Sequence, residues 1–397
     1  MGSVLSRCSV ALAGVLVLST CVQADTGVKE KEILIGSCSA LTGPARELGT
    51  RQLEGAQAYI KYTNEHGGVN GRKIRLLAFD DGYEPGKAAS CFNRLLKEGV
   101  FAAAFFVGTP TGAKYASLAE KNALPIVGLF TGAQSLREPV NRYIFNVRAS
   151  YYDETREQVD HLWKDAGIRK VGVIYQDDAF GLAVLEGVKR ALKSHGAEPV
   201  AAGAFARNTV AVDEGIKAVR AAGPEAVVIA GPYKPVAEII RRGKDADWNP
   251  LFTTVSFVGT ESFIESSGRA GEGTVVTQVV PPVARTDFPA VALYRKLIRR
   301  YFPQSLTDFV SLEGFLDAVV LVEGLNRCGK DLTRWRLIDA MESMRGLDIG
   351  LGPQVRVNYG PKEHQAFNII YDTVIRDGQP VIFDDWAELN KELKKRP

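Results

Sequence analysis

The sequence contains 397 residues, of which 46% are hydrophobic and 24% are charged. These proportions are those of an ordinary globular protein, so they exclude a disordered chain and a bundle of membrane helices. The 49 basic and 46 acidic residues give a net charge of only +3. Both signs are mixed along the chain up to a basic tail, so nucleic acid is not expected as a partner. At about 150 residues per domain, the length predicts two or three compact units, of which two is the simpler arrangement.

The first 24 residues have the pattern of a secretory signal peptide. Arg7 precedes an apolar stretch, and the small residues at 22–24 suit a signal peptidase. The mature chain would then begin at Asp25, in the periplasm. The apolar stretch is too short to span about 30 Å of hydrocarbon, and Thr20 is bulkier than the residue usual before a lipidated cysteine. Both observations favour cleavage over a membrane anchor or a lipoprotein at Cys21.

Three cysteines remain after cleavage, and these are Cys38, Cys91 and Cys328. Their spacing fits no zinc or haem pattern, and the four histidines are scattered along the chain. We therefore predict no metal and no cofactor. One disulfide is compatible with the three cysteines, but none is required, and the pairing of Cys38 with Cys91 stays open. Hydrophobic cores must hold the fold, because a disulfide scaffold would need far more cysteine.

Strand and helix patterns alternate from Ile33 onward, which is typical of parallel sheets covered by helices on both faces. In the first predicted helix, residues 51–64, Leu53 and Ala56 lie on one face. Gly67 supplies the left-handed backbone favoured after a helix end. The first unit is predicted to contain, in order, the strand EILIG, the helix 51–64, the strand KIRLLAF, a helix near 86–98, the strand FAAAFFVG, a helix near 112–121 and the strand PIVGLF.

The same alternation starts again at RASYYD, residues 148–153. The strands predicted after it are KVGVIYQ, EPVAAGAF, EAVVIAG, LFTTVSF and GTVVTQVV, followed by helices over 288–301, 306–327 and 332–344. Three segments would link two lobes, which predicts rigid bodies that hinge. The predicted division is a signal peptide 1–24, an N-terminal lobe 32–148 plus 279–356, a C-terminal lobe 149–278 plus 357–386, and a tail 387–397.

Signatures of catalysis are missing from the sequence, which contains no G-x-S-x-G elbow, no H-E-x-x-H helix and no G-x-G-x-x-G turn. Residues 324–330 have the spacing of a phosphate loop, but Asp331 stands where Ser or Thr would hold magnesium. We interpret Gly329 as the cap of a helix end. The pairs Asp80-Asp81 and Asp177-Asp178 follow predicted strands, and we favour helix capping and loop bracing over acid–base chemistry. No catalytic residue is predicted, and a two-domain transferase using one of these pairs is the alternative.

The loops after the predicted strands are rich in Gly, Ser, Thr and single aromatic residues. They read SCSALTGP, GTPTG, FTGAQ, QDDAFG, GPYKP and SFVG. Small hydroxyl residues and backbone amides at helix N-termini suit a carboxylate or another anion. Single aromatic side chains could form the apolar walls of a ligand site. The aromatic candidates are Tyr83, Phe130, Phe180, Tyr233 and Phe257.

Several runs of residues resemble those of periplasmic binding proteins of the branched-chain amino acid transport type. The runs are ILIGSCSALTGP, LGTRQLEGAQAYIKYTNEHGGVNGRKIRLLAFDD, KNALPIVG, YQDDAFG and EGTVVTQVVP, and the likeness covers nearly the whole mature chain. The resemblance implies the type I fold, with two Rossmann-like lobes and a ligand in the cleft between them. It also implies a non-enzymatic, monomeric solute-binding component of an ABC importer that delivers its solute to the permease subunits in the inner membrane.

The resemblance also implies where the solute binds. Thr109, Phe130, Thr131 and Gly132 match positions that hold a ligand carboxylate in the family, and second-lobe contacts fall on Phe180 and Tyr233. The full candidate set is Tyr83, Thr109, Thr111, Phe130, Thr131, Gly132, Tyr152, Phe180, Tyr233, Ser256 and Phe257.

The chemical nature of the solute stays open. Ser256 or Phe257 stands where leucine-type binders place an acidic residue for the ligand ammonium, and Asp177 or Glu261 could take that place. An unpaired ammonium in a closed cleft costs several kcal/mol. The sequence therefore allows an amino acid and a non-amino-acid carboxylate, which could be aromatic. A sensor that presents the same closed shape to a receptor kinase is the alternative to a transport protein.

Overall fold

The computed structural model describes residues 25–394, and their side chains except those of 393 and 394. The predicted signal peptide at 1–24 and the end of the tail lie outside the described residues. In the part of the chain that is described, no helix combines the length and the apolar character needed to cross a membrane.

The first sheet is built from the beginning of the mature chain. Its strands pair in parallel in the order β2-β1-β3-β4-β5, with helices in the crossover connections. The elements are β1 (Glu32–Ser39), α1 (Arg46–Glu65), β2 (Lys73–Asp80), α2 (Pro85–Glu98), β3 (Ala102–Ala104), α3 (Thr109–Lys121), β4 (Ile126–Val127) and β5 (Ile144–Phe145).

The second sheet has the order β12-β11-β10-β9-β8-β6-β7, in which β11 runs antiparallel to both of its neighbours. Its first elements are α4 (Tyr151–Lys164), β6 (Val171–Gln176), α5 (Ala179–Ser194), β7 (Ala201–Phe205), α6 (Asp213–Arg220), β8 (Ala226–Ala230), α7 (Tyr233–Asp245), β9 (Leu251–Thr254), α8 (Thr260–Ser267) and β10 (Val275–Gln278). The remaining elements of the chain are α9 (Pro289–Tyr301), α10 (Phe309–Arg327), α11 (Arg334–Glu342), β11 (Tyr371–Arg376), β12 (Gln379–Ile382) and α12 (Trp386–Lys394). Two sheets dominated by parallel strands confirm the predicted α/β fold of two lobes.

The chain returns to the first lobe after β10, where α10 packs along α1. The backbones of these helices approach closely at two glycines. A Cβ on Gly55 would lie 1.7 Å from the carbonyl oxygen of Ser311, and one on Gly314 would lie 2.0 Å from that of Gln52. Further on, Asn146 donates from its backbone N–H to the carbonyl of His364 (2.8 Å). This bond holds the residues near 364 beside the end of β5. The exact boundaries between the two lobes stay a prediction.

Several element boundaries differ from the predicted ones. The helix predicted from residue 51 begins at Arg46. Its first turn packs closely against the Ala40 carbonyl because Gly49 has no side chain, and a Cβ added at Gly49 would lie 2.2 Å from that oxygen. The strands predicted over FAAAFFVG and PIVGLF are much shorter in the structure. The positive φ angles of Phe105 (63°) and Gly128 (71°) end β3 and β4, and irregular backbone follows.

The cysteine pairing that the sequence left open is defined in the first lobe. Cys38 in β1 forms a disulfide with Cys91 in α2. Cys328 is a buried free thiol at the end of α10. Gly329 follows it with a φ of 70°, which confirms the interpretation of this segment as a helix end.

Candidate ligand site between the lobes

Aromatic rings from both lobes meet at the carboxyl ends of the two sheets, and we call Tyr83, Phe130, Tyr151, Phe180 and Phe257 the aromatic cluster. The ring of Phe257 lies at its centre, with centroids 4.5 Å from Phe180, 5.5 Å from Phe130 and 5.9 Å from Tyr83. Tyr151 contacts Phe180 at 5.3 Å. Each of these side chains is at most 1% exposed. The cluster joins the lobes because Tyr83 and Phe130 follow strands of the first sheet, whereas Phe180 and Phe257 follow strands of the second.

Two buried threonine hydroxyls lie beside the aromatic cluster. The Oγ1 atoms of Thr109 and Thr131 are 2.7 Å apart, and Thr109 is the first residue of α3. Gly132 follows, and its carbonyl accepts a hydrogen bond from the backbone N–H of Tyr151 (2.7 Å). A helix N-terminus carries partial positive charge and free N–H groups. Hydroxyls in this position therefore suit a carboxylate.

Tyr83 is held by contacts from both lobes. Its φ is 60°, and its ring packs on Gly108, where an added Cβ would lie 2.0 Å from the ring. From the second lobe, Gln176 donates from Nε2 to the Tyr83 hydroxyl (3.4 Å), and Arg207 donates from Nη1 to the Tyr83 carbonyl (2.6 Å). Burial raises the pKa of Tyr83 well above its ordinary value, so its hydroxyl stays neutral.

A buried ion network borders the aromatic cluster on one side. The Arg148 guanidinium lies 3.0 Å from Glu154 and 3.3 Å from Glu313, and 5.2 Å from the centroid of the Phe130 ring. Burial alone would lower the pKa of Arg148, but the two glutamates raise it. Burial raises the pKa of Glu313 to about 7, against the opposing effect of Arg148. Arg148 is therefore a charged residue of the site whose charge is already compensated.

The structure brings together seven of the predicted site residues, and their ligand contacts stay a prediction. These are Tyr83, Thr109, Phe130, Thr131, Gly132, Phe180 and Phe257.

The other four predicted residues are engaged elsewhere. The Thr111 hydroxyl donates to the carbonyls of Val107 and Gly108 within its own helix end. The Ser256 hydroxyl donates to Glu154 (2.9 Å) in the ion network.

Tyr152 and Tyr233 lie at the edges of the interface between the lobes. Tyr152 is half-buried with the Arg190 guanidinium 4.7 Å above its ring. It lines a polar cleft of about 590 Å³ together with Arg137 and Arg156. Tyr233 begins α7, and its hydroxyl contacts the Glu47 backbone across the interface.

Sequence reasoning missed Tyr151 and Arg148. A usable signal was present at Tyr151, because Ser150 and Asp153 form a capping box at the start of α4. This motif identifies Tyr151 as the first residue of the helix, whereas the direction of its ring depends on how α4 packs against the first lobe. Arg148 had no such signal, since its contact with Glu313 and its position beside the Phe130 ring arise only from tertiary packing.

The paired acids have structural roles, as predicted. Asp80 accepts hydrogen bonds from the backbone N–H groups of Leu41 and Gly82 (2.9 and 2.8 Å). Asp81 accepts from Tyr115 and from the Tyr83 N–H. In the second lobe, Asp178 caps α5 by accepting from the Phe180 N–H (2.9 Å), and Asp177 is exposed. Loop bracing by Asp80 and Asp81 and helix capping by Asp178 are confirmed, while the role predicted for Asp177 stays a prediction.

Comparisons with known proteins match this fold. The sequence profile of a family described as periplasmic binding protein matches residues 32–379. The Leu/Ile/Val-binding protein homolog 3 of Brucella melitensis is 20% identical over 361 residues, which cover 91% of this chain and 95% of that protein.

Solved structures are similar over nearly the whole chain. One is the crystal structure of a possible leucine/isoleucine/valine-binding protein from Rhodopirellula baltica, with a TM-score of 0.86 and 33% identity, covering 90% of this chain and 98% of that one. Another is a branched chain amino acid ABC transporter protein from Thermus thermophilus with bound valine, with a TM-score of 0.79 and 20% identity, covering 92% and 99%. The second likeness shows the fold alone.

Proposed function

Because the chain belongs to the periplasmic binding protein family, within its type I branched-chain amino acid group, we propose that it captures a small solute between its two lobes. It then delivers this solute from the periplasm to the permease of an ABC importer, and it acts as a monomer without catalysis. The aromatic cluster carries this proposal, since Phe257 of the second lobe packs on Phe130 of the first (5.5 Å). A solute held there contacts both lobes and stabilises their closed arrangement.

The solute we propose is an apolar or aromatic carboxylate without an ammonium group. Thr109, Thr131 and the N-terminus of α3 offer donors to a carboxylate. The aromatic cluster surrounds this point with apolar surface, and such walls favour an apolar body.

The carboxylates that border the aromatic cluster support the exclusion of an ammonium. Glu154 accepts from Arg148, from the Ser256 N–H and from the Thr277 hydroxyl. Asp178 caps α5, and it accepts from Gln176. Since these acids already have partners, an ammonium in the site would lose its hydration without gaining a free carboxylate.

A second candidate is a branched-chain amino acid. It is favoured by the names of the relatives, which describe Leu/Ile/Val-binding proteins. To bind the ammonium of an amino acid, Glu154 or Asp178 would have to give up one of its present hydrogen-bond partners.

Matched ligand pairs distinguish the two candidates. Mature protein would be refolded to remove carried-over ligand and tested by calorimetry with 4-methylpentanoate against leucine, and with 3-phenylpropanoate against phenylalanine. Members of each pair differ only in the ammonium. We expect the acids without ammonium to bind, and at one hundred times the dissociation constant to add about 2.7 kcal/mol to the free energy of unfolding. Binding of the amino acids alone would favour the second candidate.

Delivery to a permease is tested in cells. Deletion of the gene should abolish uptake of the labelled ligand, whereas loss of a transcriptional response with unchanged uptake would favour the sensor alternative. Turnover of the ligand by purified protein, abolished by Asp81→Asn or Asp177→Asn, would favour the transferase alternative.

A further inference from the structure

A cluster of metal-ligating side chains lies in the second lobe, away from the aromatic cluster. Glu157 and His161 are one turn apart on α4, and Asp372 comes from β11. His161 Nε2 is 3.3 Å from a Glu157 carboxylate oxygen and 3.7 Å from Asp372 Oδ2. One ligand atom from each of the three residues lies within 4.8 Å of the others. The α/β packing therefore gathers an imidazole and two carboxylates at one point.

The His161 ring is oriented by further contacts. Its Nδ1 is 2.5 Å from Asp165 Oδ2, and its face stacks on the Trp386 ring, with centroids 5.4 Å apart and planes 8° apart. A hydrogen bond from Nδ1–H to a carboxylate leaves the Nε2 lone pair free to bind a metal. Metal-binding histidines commonly have this second partner, which fixes the ring and strengthens the ligand.

One carboxylate oxygen of Asp372 is left without a hydrogen-bond partner by the described residues. Its side chain is 8% exposed, and Oδ2 accepts a hydrogen bond from Trp386 Nε1 (3.2 Å). Within residues 25–394, its Oδ1 is buried without a hydrogen-bond partner. A buried carboxylate oxygen of this kind requires a cation or a donor to offset its desolvation.

We propose that Glu157, His161 and Asp372 form a site for a divalent transition-metal ion, with zinc as the ion that these donors suit best. Zinc binds imidazole nitrogen and carboxylate oxygen at about 2.0–2.2 Å in a tetrahedral arrangement, which places neighbouring ligand atoms about 3.3 Å apart. The observed separations of 3.3 and 3.7 Å are close to this value. His161 and Glu157 are 30% and 42% exposed, so an ion can enter, and water can complete its coordination.

The bound ion would brace the end of the chain against the second lobe. It would link α4 to β11 directly, and through the Trp386 stack it would also hold α12. This role is independent of solute capture, because none of the three ligands belongs to the aromatic cluster. The sequence predicted no metal, since Asp372 is far from the Glu157–His161 pair along the chain and no compact spacing motif is formed.

Zinc titration of untagged, chelator-treated mature protein tests the site. We expect one Zn²⁺ per chain and a rise in melting temperature. Addition of a chelator should reverse the rise in melting temperature.

Variants assign the binding to these residues. Asp372→Asn and His161→Gln should remove the zinc-dependent shift, and Asp165→Asn should weaken affinity about 10- to 100-fold. Asp372→Asn replaces a carboxylate in which one oxygen has no hydrogen-bond partner among the described residues. The metal-free variant should therefore still fold, and circular dichroism checks this.

The matched control is His195→Gln. His195 also stacks on a tryptophan, Trp163 (5.2 Å), and contacts a single carboxylate, that of Asp160 (2.7 Å). This variant should bind zinc like the parent. An absence of zinc binding at 100-fold excess, or equal losses in His195→Gln and Asp372→Asn, would overturn the proposal.

Discussion

The hydroxyls of Thr109 and Thr131 lie 2.7 Å apart at the N-terminus of α3, although they come from loops after different strands of the first sheet. Both side chains are at most 1% exposed, and the Thr131 oxygen also accepts from the Ala133 N–H (3.3 Å). The two hydroxyls are thus positioned by contacts within the first lobe. It presents hydroxyls at fixed positions before a solute binds, which reduces the entropy lost on binding.

Thr131→Val should weaken solute binding about 10- to 100-fold, because a hydrogen bond to a charged group contributes about 1.5–3 kcal/mol. The free energy of unfolding of the solute-free protein should fall by only about 1 kcal/mol. Calorimetry and thermal melts measure the two effects. Thr286→Val, at an exposed position, is the control. Equal solute affinity in Thr131→Val and Thr286→Val would remove Thr131 from the site.

Gly108→Ala should abolish solute binding and destabilise the first lobe. The backbone at Gly108 has a φ of 95°, and the added Cβ would lie 2.0 Å from the Tyr83 ring, so the ring must leave the aromatic cluster. Gly86→Ala is the matched control, since Gly86 lies in α2 with no atom within 4 Å of an added Cβ. That change should stabilise the protein by up to about 1 kcal/mol. Normal affinity in Gly108→Ala would show that the position of Tyr83 is unimportant for binding.

Reduction of the Cys38–Cys91 disulfide should lower the free energy of unfolding by about 4 kcal/mol, as expected from chain entropy for a loop of this length. The sequence separation is 53 residues. Thiol titration in denaturant should give one reactive group per mature chain before reduction and three afterwards. A count of three before reduction would contradict the pairing.

The alternation of strands and helices could be predicted from the sequence because buried parallel strands and amphipathic helices have different periods. The ends of β3 and β4 could not be predicted in this way. They depend on the positive φ angles of Phe105 and Gly128. The Gly128 position is also restricted by Asp317, which would lie 2.6 Å from an added Cβ. Such conformations are imposed by tertiary packing, which local propensity does not encode.

The site was predictable at the level of loops and less so at the level of side chains. Of the neighbours Ser256 and Phe257, only Phe257 faces the aromatic cluster, because a short 3₁₀ turn over Ser256–Val258 directs them apart. Tyr152, the predicted ligand contact, lines the polar cleft, whereas its neighbour Tyr151 lies in the aromatic cluster. Adjacent residues at a strand end cannot be separated without the geometry of the turn.

Glu84→Gln should reduce solute affinity about two- to fivefold. Glu84 of the first lobe pairs with Arg207 and Asn208 of the second, so the contact forms only when the lobes meet. Both charged side chains are partly exposed, at 38% and 18%, which limits the pair to about 0.5–1 kcal/mol. Asp213→Asn removes an ion pair with Arg242 inside the second lobe and should leave affinity unchanged. Equal effects of the two changes would argue against a role in closure.

Closure should also depend on pH through Glu261. Its carboxylate, from α8 of the second lobe, accepts from the Phe309 N–H of the first (3.3 Å) and lies near the Asp308 carboxylate. Burial, together with Asp308, raises the pKa of Glu261 well above its ordinary value, and burial raises that of Asp308 to about 6. Arg51, 3.7 Å from Asp308, offsets part of the repulsion between the Glu261 and Asp308 carboxylates.

The sign of the dependence follows from these raised pKa values. A carboxyl group with a higher pKa in the closed form stabilises closure below its ordinary pKa, and this stabilisation is lost as the pH rises through the closed-form value, about 6 for Asp308. One pKa unit corresponds to about tenfold in affinity. Solute affinity should therefore fall about tenfold from pH 5 to pH 8. Glu261→Gln keeps the acceptor for Phe309 but cannot ionise, so its affinity should vary less with pH and exceed that of the parent at pH 8. Glu265→Gln, exposed on the same helix, should retain the parental profile. A parental profile in Glu261→Gln would mean that closure does not couple to this carboxylate.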